Sequence, residues 1–491
     1  MYIVDVRRRF LYWQLSAHGL FAGLLYVCHL EGSLGLLFVL SVWFICSYAY
    51  LFIQEIQYAP DFHPYLILVL SSIQFVGFNG LNIHSLIRGG ENVLFGIYSV
   101  NDYISEGMFF VSLQHLLLFI GFYVMERKYS EEYEEMGYST SLYSKIVTSD
   151  IPYYKWALYS YIAVWTFRCV DLVFPLSSIS SLLNNFASYG QLLPLMLLVF
   201  SVIRDEGWRK PIYVHWFIVL VEIFLTLNSG MKENILRNLV PYGIYMLIQY
   251  KAGNLRLNAS FVSRLTVVFV FVLATFSYVS VFRDISNRER KEWSEISLSY
   301  AMKEYVDYLA KQGRYAETSD IKPKGSMEYL MSRAGSIGCN AWSIHYAQTH
   351  HPMPQYMLYC STALIPRILW PGKPTLRPGG MMYRLSTGHK DFWNQSKADT
   401  ASVSLGFIGS CYFSLGLIGA LVIPVLMGFF FNFFWHFLKR RLYKNLLAIW
   451  AFFTLVSLFL KDCEGLQDCG VIFFTWSCFY MVLIKYVFKT S

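Results

Sequence analysis

Charged residues are scarce in this chain of 491 residues: Asp, Glu, Lys and Arg make up only 15% of it, whereas 55% is hydrophobic and 18% is aromatic. That balance excludes an ordinary soluble protein of this size and is typical of a chain with many membrane spans. The net charge of +8 does not indicate nucleic acid, because the basic residues are spread over short loops between apolar runs. We therefore expect the lipid bilayer, and no nucleic acid, as a partner.

Familiar catalytic motifs are also missing. The sequence has no phosphate-binding glycine loop, no HExxH, no nucleophile elbow and no DxD motif for a nucleotide sugar. Its nine cysteines have no metal-type spacing. Cys463 and Cys469 share one short loop, where a disulfide and two free thiols fit equally well. We expect neither a metal nor another cofactor.

Long apolar runs dominate what is present, and a span needs about 17–25 residues. They predict an all-α integral membrane protein with about twelve transmembrane helices. The candidate spans lie near 11–30, 34–54, 62–84, 106–126, 154–175, 186–203, 211–228, 234–250, 263–282, 403–436, 445–460 and 470–488.

Basic residues cluster at alternate ends of these runs, as in Arg7-Arg8-Arg9 and Lys439-Arg440-Arg441. Because cytoplasmic loops are enriched in Lys and Arg, this pattern predicts that both termini are cytoplasmic. The chain then divides into nine spans in 1–282, one large outer loop in 283–402 and three spans in 403–491. Within the loop we expect an amphipathic helix near Ile296–Leu309 and another helix near Ser326–Ala347.

The outer loop contains a stiff, basic stretch, Ile365–Pro374. Its three prolines disfavour helix, and Gly372 permits a tight turn. Arg367 and Lys373 therefore lie on a loop with little entropy to lose when it binds an anion. Taken alone, such a stretch reads as a structural turn with two solvated cations.

Further cations lie on the predicted outer face, where few are expected. They suggest an anionic partner at the outer leaflet, although at least half of them can pair with local acids such as Asp284 and Glu289. The candidates for the anion site, besides Arg367 and Lys373, are Arg283, Lys232, Arg333 and Arg237.

Acid–base candidates are fewer. Asp399, just before the tenth span, and His345 could accept a proton from a substrate, although a structural role is the better interpretation of either residue alone. Within the spans, Glu222 and the pair Arg168 and Asp171 are functional candidates by default. The last two, three residues apart, can instead neutralise each other.

Several of these residues carry a resemblance. Arg333, the Ile365–Pro374 stretch, the Gly406-Phe407-Ile408-Gly409 motif and the Ser229–Lys232 turn together resemble bacterial oligosaccharide repeat-unit polymerases of the O-antigen polymerase (Wzy) type. Two departures stand out: Lys232 replaces the usual Arg, and Ser410 stands where an acidic residue is expected. Asp399 is therefore the substitute candidate for the base.

The resemblance implies a fold and a reaction. It implies a class-C-like glycosyltransferase architecture in the bacterial inner membrane, with the large loop in the periplasm. Undecaprenyl-pyrophosphate-linked oligosaccharides would be both donor and acceptor. The cations would hold the pyrophosphate, and Asp399 or His345 would take the acceptor proton. Whether a chain-length regulator also binds is left open by the sequence.

Two rival functions remain. A glycan ligase would need the same lipid-linked donor, the same cations and the same loop. A polysaccharide flippase or transporter would be expected to show internal repeats and charged residues deep in several spans, and the sequence shows neither.

Overall fold

We describe a computed structural model of the chain. The residues described are 2–27, 34–59, 63–87, 93–94, 98–99, 103–135, 142–173, 192–204, 213–214, 216–218, 220–222, 233–255, 263, 266, 278, 298–311, 337–362, 370, 378–388, 405–439, 441, 445–459 and 473–487.

Helices account for nearly all of these residues. They are α1 (Tyr2–Val27), α2 (Leu34–Tyr58), α3 (Tyr65–Ile87), α4 (Ile104–Glu135), α5 (Leu142–Val147), α6 (Tyr153–Val173), α7 (Leu192–Ile203), α8 (Glu233–Lys251), α9 (Leu298–Lys311), α10 (Ile337–His350), α11 (Pro354–Ser361), α12 (Pro378–Ser386), α13 (Phe407–Lys439), α14 (Leu446–Phe459) and α15 (Phe473–Val482), which continues as a π-helix over Leu483–Val487. One antiparallel pair of short strands, β1 (Val93–Leu94) and β2 (Tyr98–Ser99), precedes α4.

Three helices among the described residues are long and apolar enough to cross a membrane: Gly35–Tyr58, Ile104–Arg127 and Phe407–Lys439. The prediction of an all-α membrane protein is therefore confirmed in that coarse form. The count of twelve spans, the class-C-like architecture and the sidedness of the termini stay predictions. Serine hydroxyls inside these helices donate to backbone carbonyls one turn earlier, as Ser41 Oγ does to the Leu37 carbonyl and Ser414 Oγ to the Ser410 carbonyl, both at 2.7 Å.

The chain folds into two compact units. One contains Met1–Ser141, Pro175–Leu182 and Met331–Ser491, and the other contains Leu142–Phe174 and Leu183–Leu330. The last part of the predicted outer loop, with α10, α11 and α12, therefore belongs to the same unit as α1–α4. The division into 1–282, 283–402 and 403–491 describes membrane topology and stays a prediction.

In the first unit, α4 and α13 touch through their backbones. A Cβ at Gly121 would overlap the carbonyl oxygen of Val425, and one at Gly428 would overlap that of Leu118. Asn432 Nδ2 also donates to the Phe122 carbonyl at 2.8 Å. Small residues at a helix interface permit this approach, which gives dispersion contacts that lipid cannot replace.

Helix α13 is bent back on itself at Gly416, whose φ of 64° and ψ of −151° are accessible essentially to glycine alone. A Cβ at Gly419 would overlap the carbonyl of Cys411, eight residues earlier. Eight residues of straight helix would separate these positions by about 12 Å. The segment 407–415 therefore folds against the start of the longer segment 417–439, and the longer segment alone, at about 34 Å, is sufficient to span a bilayer.

In the second unit, α6, α7 and α8 pack together, with Tyr153 edge-on to Phe200 at a centroid distance of 5.4 Å. Arg168 Nη1 and Nη2 donate to the two carboxylate oxygens of Glu222 at 2.7 and 2.9 Å. The sequence allowed Arg168 to pair with Asp171, whose side chain lies outside the described residues. The bidentate contact with Glu222 joins two predicted spans.

Candidate functional site

Helix α10 lies against the first turns of α4 and the start of α13, and this junction is the candidate site. Gly107 permits the approach, because a Cβ there would be 2.9 Å from that of Ala341. Gly406 and Gly409 do the same on the other side, where added Cβ atoms would overlap Asn340 and Ser343. Three segments far apart in the sequence are therefore held in close contact at one end of α4.

The first turn of α13 is capped by side chains from both neighbours. Gln114 Oε1 accepts a hydrogen bond from the Ile408 amide at 3.0 Å, and Asn340 Oδ1 accepts one from the Gly409 amide at 2.9 Å. These amides belong to the free N–H groups that every helix start presents. Because they are already satisfied, the motif Gly406–Gly409 acts here in packing and capping, and these amides are not available to a phosphate.

His345 projects from α10 beside Tyr103, with the two rings stacked at a centroid distance of 3.5 Å and an interplanar angle of 18°. The imidazole is half-buried. Burial, and secondarily the charge of His350, lower the pKa of His345 below 6.5. The ring is therefore neutral at pH 7 and can accept a proton, as a general base must.

A carboxylate lies one turn away from this stack. Glu106 accepts a hydrogen bond from Gln348 Nε2, and the same nitrogen lies 3.5 Å from Tyr412 Oη. Gln348 follows His345 by three positions on α10, and Glu106 follows Tyr103 by three at the start of α4, so the two pairs lie on facing turns. Sequence reasoning missed Glu106 and Gln348. The spacing from His345 was the one signal that could have found Gln348.

Only part of the predicted site falls within the described residues. His345 is described in full, and Arg237 lies on α8 in the second unit, where its backbone alone is described. The remaining predicted site residues lie outside the described residues: Asp399, Arg367, Lys373, Arg283, Lys232 and Arg333. The predicted pyrophosphate site therefore stays a prediction.

A buried charge cluster occupies the opposite end of α4. Arg7 on α1 binds both oxygens of Glu55 on α2, at 2.6 and 2.7 Å, and Nη1 also contacts Glu126 on α4. The guanidinium lies over the Tyr65 ring, 4.4 Å from its centroid. Arg7 and Glu55 are 3% and 2% exposed, so the cluster is effectively dry.

His63 borders this cluster from the loop before α3. Its Nε2 lies 3.9 Å from Glu126 Oε1. We infer that the cluster has a structural role and holds the ends of four helices together, because each of its charges has an opposite charge nearby.

The described part of the chain contains no cluster of side chains that could bind a metal ion. No group of three or more His, Cys, Asp or Glu side chains there is arranged to hold an ion. Burial raises the pKa of the Cys339 thiol to about 12, so this cysteine is neither a ready nucleophile nor a ready ligand.

Comparisons with known proteins give one match. No curated protein and no solved structure matches the chain. A family model described as a domain of unknown function (DUF8712) matches residues 135–486. The matched part includes α10 and α13 but not the first turns of α4. Because the match covers more than half of the sequence, the chain belongs to the DUF8712 family.

Proposed function

We propose that this protein joins undecaprenyl-pyrophosphate-linked oligosaccharide repeat units into a surface polysaccharide at the periplasmic face of a bacterial inner membrane. The observation that carries the proposal is the neutral, half-exposed imidazole of His345, which stacks on Tyr103 beside the start of the candidate spanning helix α4. A reaction between two lipid-linked substrates needs a general base close to the end of a membrane span, where the lipid-linked sugars are held. The resemblance to repeat-unit polymerases adds the donor class.

In the proposed reaction, an acceptor sugar hydroxyl attacks the anomeric carbon of the donor. The new O–C bond forms as the bond from that carbon to the pyrophosphate oxygen breaks, and undecaprenyl pyrophosphate leaves with the bonding electrons. His345 takes the hydroxyl proton. Arg367 and Lys373 would stabilise the negative charge that develops on the leaving group.

The buried charges favour this reaction over transport. Arg7 and Glu55 lie near the ends of α1 and α2, Glu126 ends the apolar part of α4, and Arg168 is near the end of α6. Transporters typically bind substrates and coupling ions near the bilayer midplane, at discontinuous helices. The ion pairs of Arg7 with Glu55 and Glu126 join helix ends in this way.

The test is the glycan ladder of cells that carry His345→Gln, at matched membrane expression. Gln retains the size and polarity of His but cannot accept the proton, so we expect a single repeat unit to remain and longer species to fall by at least about 100-fold, as for loss of a general base. Arg367→Ala tests the donor site in the same way.

His351→Asn is the matched control. His351 is exposed and has a positive φ of 68°, which Asn tolerates well, so the ladder should not change. An unchanged ladder in His345→Gln would contradict the assignment of the base. Loss of the single-unit form as well would favour a ligase or flippase.

A further inference from the structure

The cluster beside His345 has the chemistry of a carbohydrate site rather than an anion site. It combines a carboxylate (Glu106), a primary amide (Gln348), a phenol (Tyr412) and the ring of Tyr103, from three different segments. These groups donate and accept hydrogen bonds in several directions, as a ligand rich in hydroxyls requires. Gln348 is exposed and the other three are half-exposed, so a ligand can reach them.

The charges of these side chains restrict the class of sugar that can bind. Glu106 brings a carboxylate to the cluster. His345, the imidazole on the facing turn, is neutral. The α13 amides that could have attracted an anion are already bonded to Gln114 and Asn340. The four side chains of the cluster include one carboxylate and no cation, so they suit an uncharged or amino sugar better than a phosphate or a uronate.

We propose that Tyr103, Glu106, Gln348 and Tyr412 form a subsite for an uncharged or amino sugar, and that this sugar is the acceptor in the proposed reaction. The assignment as acceptor rests on the proposed function, whereas sugar binding itself does not. Glu106 and Gln348 hold hydroxyls of the ring, and the reacting hydroxyl points to His345, which takes its proton. The donor pyrophosphate binds elsewhere, on cations.

The test is ligand-observed saturation-transfer NMR on the full-length protein in detergent, with empty micelles as the blank. N-acetylglucosamine and glucuronate are the probes, because they share a hexose ring and differ in charge. We expect N-acetylglucosamine to bind with millimolar affinity and glucuronate at least about tenfold more weakly.

Glu106→Gln is the diagnostic variant, because Gln can still accept the hydrogen bond from Gln348 while the charge is lost. N-acetylglucosamine should bind about tenfold more weakly, and the two probes should become equal within about threefold. Asp150→Asn is the control, since Asp150 is an exposed carboxylate in the other unit. Gln348→Leu, which removes the bridging amide, should weaken N-acetylglucosamine similarly and serves if Glu106→Gln does not fold.

Three results would overturn the subsite: no saturation transfer to N-acetylglucosamine at tens of millimolar, equal binding of glucuronate to the unaltered protein, or affinities that the Glu106 and Gln348 variants leave unchanged. The glycan ladder tests the polymerase reaction independently of the sugar subsite. Sugar binding that depends on Glu106, together with a normal ladder in His345→Gln, would keep the subsite and remove the polymerase reaction.

Discussion

Replacing Arg7 with Met should destabilise the first unit strongly, because two buried carboxylates depend on one guanidinium. Three Arg7 nitrogens contact Glu55 and Glu126, and all three residues are at most 5% exposed. Removing one partner of a buried ion pair costs about 3–5 kcal/mol, because the other charge is left unpaired. Met fills a similar volume, so lost packing adds little.

The assay is thermal unfolding in detergent, followed by intrinsic fluorescence and by retention of the monomer peak in gel filtration. A loss of about 4 kcal/mol should lower the midpoint by at least about 5 °C. Arg8→Met is the matched control, because the neighbouring Arg8 pairs with Asp5 at 2.9 Å while its side chain is 51% exposed. Exposed pairs contribute about 0–1 kcal/mol, so this midpoint should hardly move.

A triple variant separates the cost of leaving charges unpaired from the cost of altered packing. With Arg7→Met, Glu55→Leu and Glu126→Leu combined, none of these three buried charges remains, and most of the lost stability should return. If Arg7→Met unfolds within about 1 °C of the unaltered protein, the reasoning from buried charge is wrong. If the triple variant is no more stable than Arg7→Met, the cost came from packing.

Three further predictions concern backbone contacts and pH. Gly121→Ala should lower the unfolding midpoint, because its Cβ would overlap the Val425 carbonyl and cost about 1–3 kcal/mol, whereas Gly23→Ala, with no atom within 4 Å, should be neutral or stabilising in the same melt. Gly416→Ala should cost about 1–3 kcal/mol and reduce the yield of folded protein on gel filtration, since φ of 64° with ψ of −151° strains any side chain. The rate of polymerisation should fall on the acid side only below pH 6.5, because the lowered pKa of His345 keeps the imidazole neutral at pH 6.5 and above. An acid limb centred above pH 6.5 in a pH–rate profile would contradict this.

The spanning helices were the most predictable part of the fold. The apolar runs near 34–54 and 106–126 predicted two of the helices that can cross a membrane, Gly35–Tyr58 and Ile104–Arg127. The amphipathic pattern near Ile296–Leu309 likewise predicted α9, Leu298–Lys311. Length and periodicity depend on local sequence alone, so they can be read from it.

The turn at Gly416 was not predictable in this way. The run near 403–436 is apolar on both sides of the glycine, and the sequence predicts it as a single span. A glycine inside an apolar run is common in membrane helices, so its presence does not reveal a positive φ. The fold is decided by packing of 407–415 against Asn340 and Gln114, residues far away in the sequence.

The site residues were likewise predictable only where local sequence identifies them, and not where contacts between distant positions do. Arg7 read as a topology signal, and its burial could not be foreseen, because Glu55 and Glu126 lie 48 and 119 residues away. His345 was a candidate on residue type alone. Glu106 was missed because its contact with Gln348 joins positions 242 residues apart.

The most direct test of the proposed function uses purified protein in lipid vesicles with a lipid-linked repeat unit as the single substrate. The account predicts glycans of two or more units, with one undecaprenyl pyrophosphate released for each bond formed and no such products from His345→Gln. If instead the repeat unit crosses the bilayer unchanged, or no undecaprenyl pyrophosphate is released, the protein is not a polymerase.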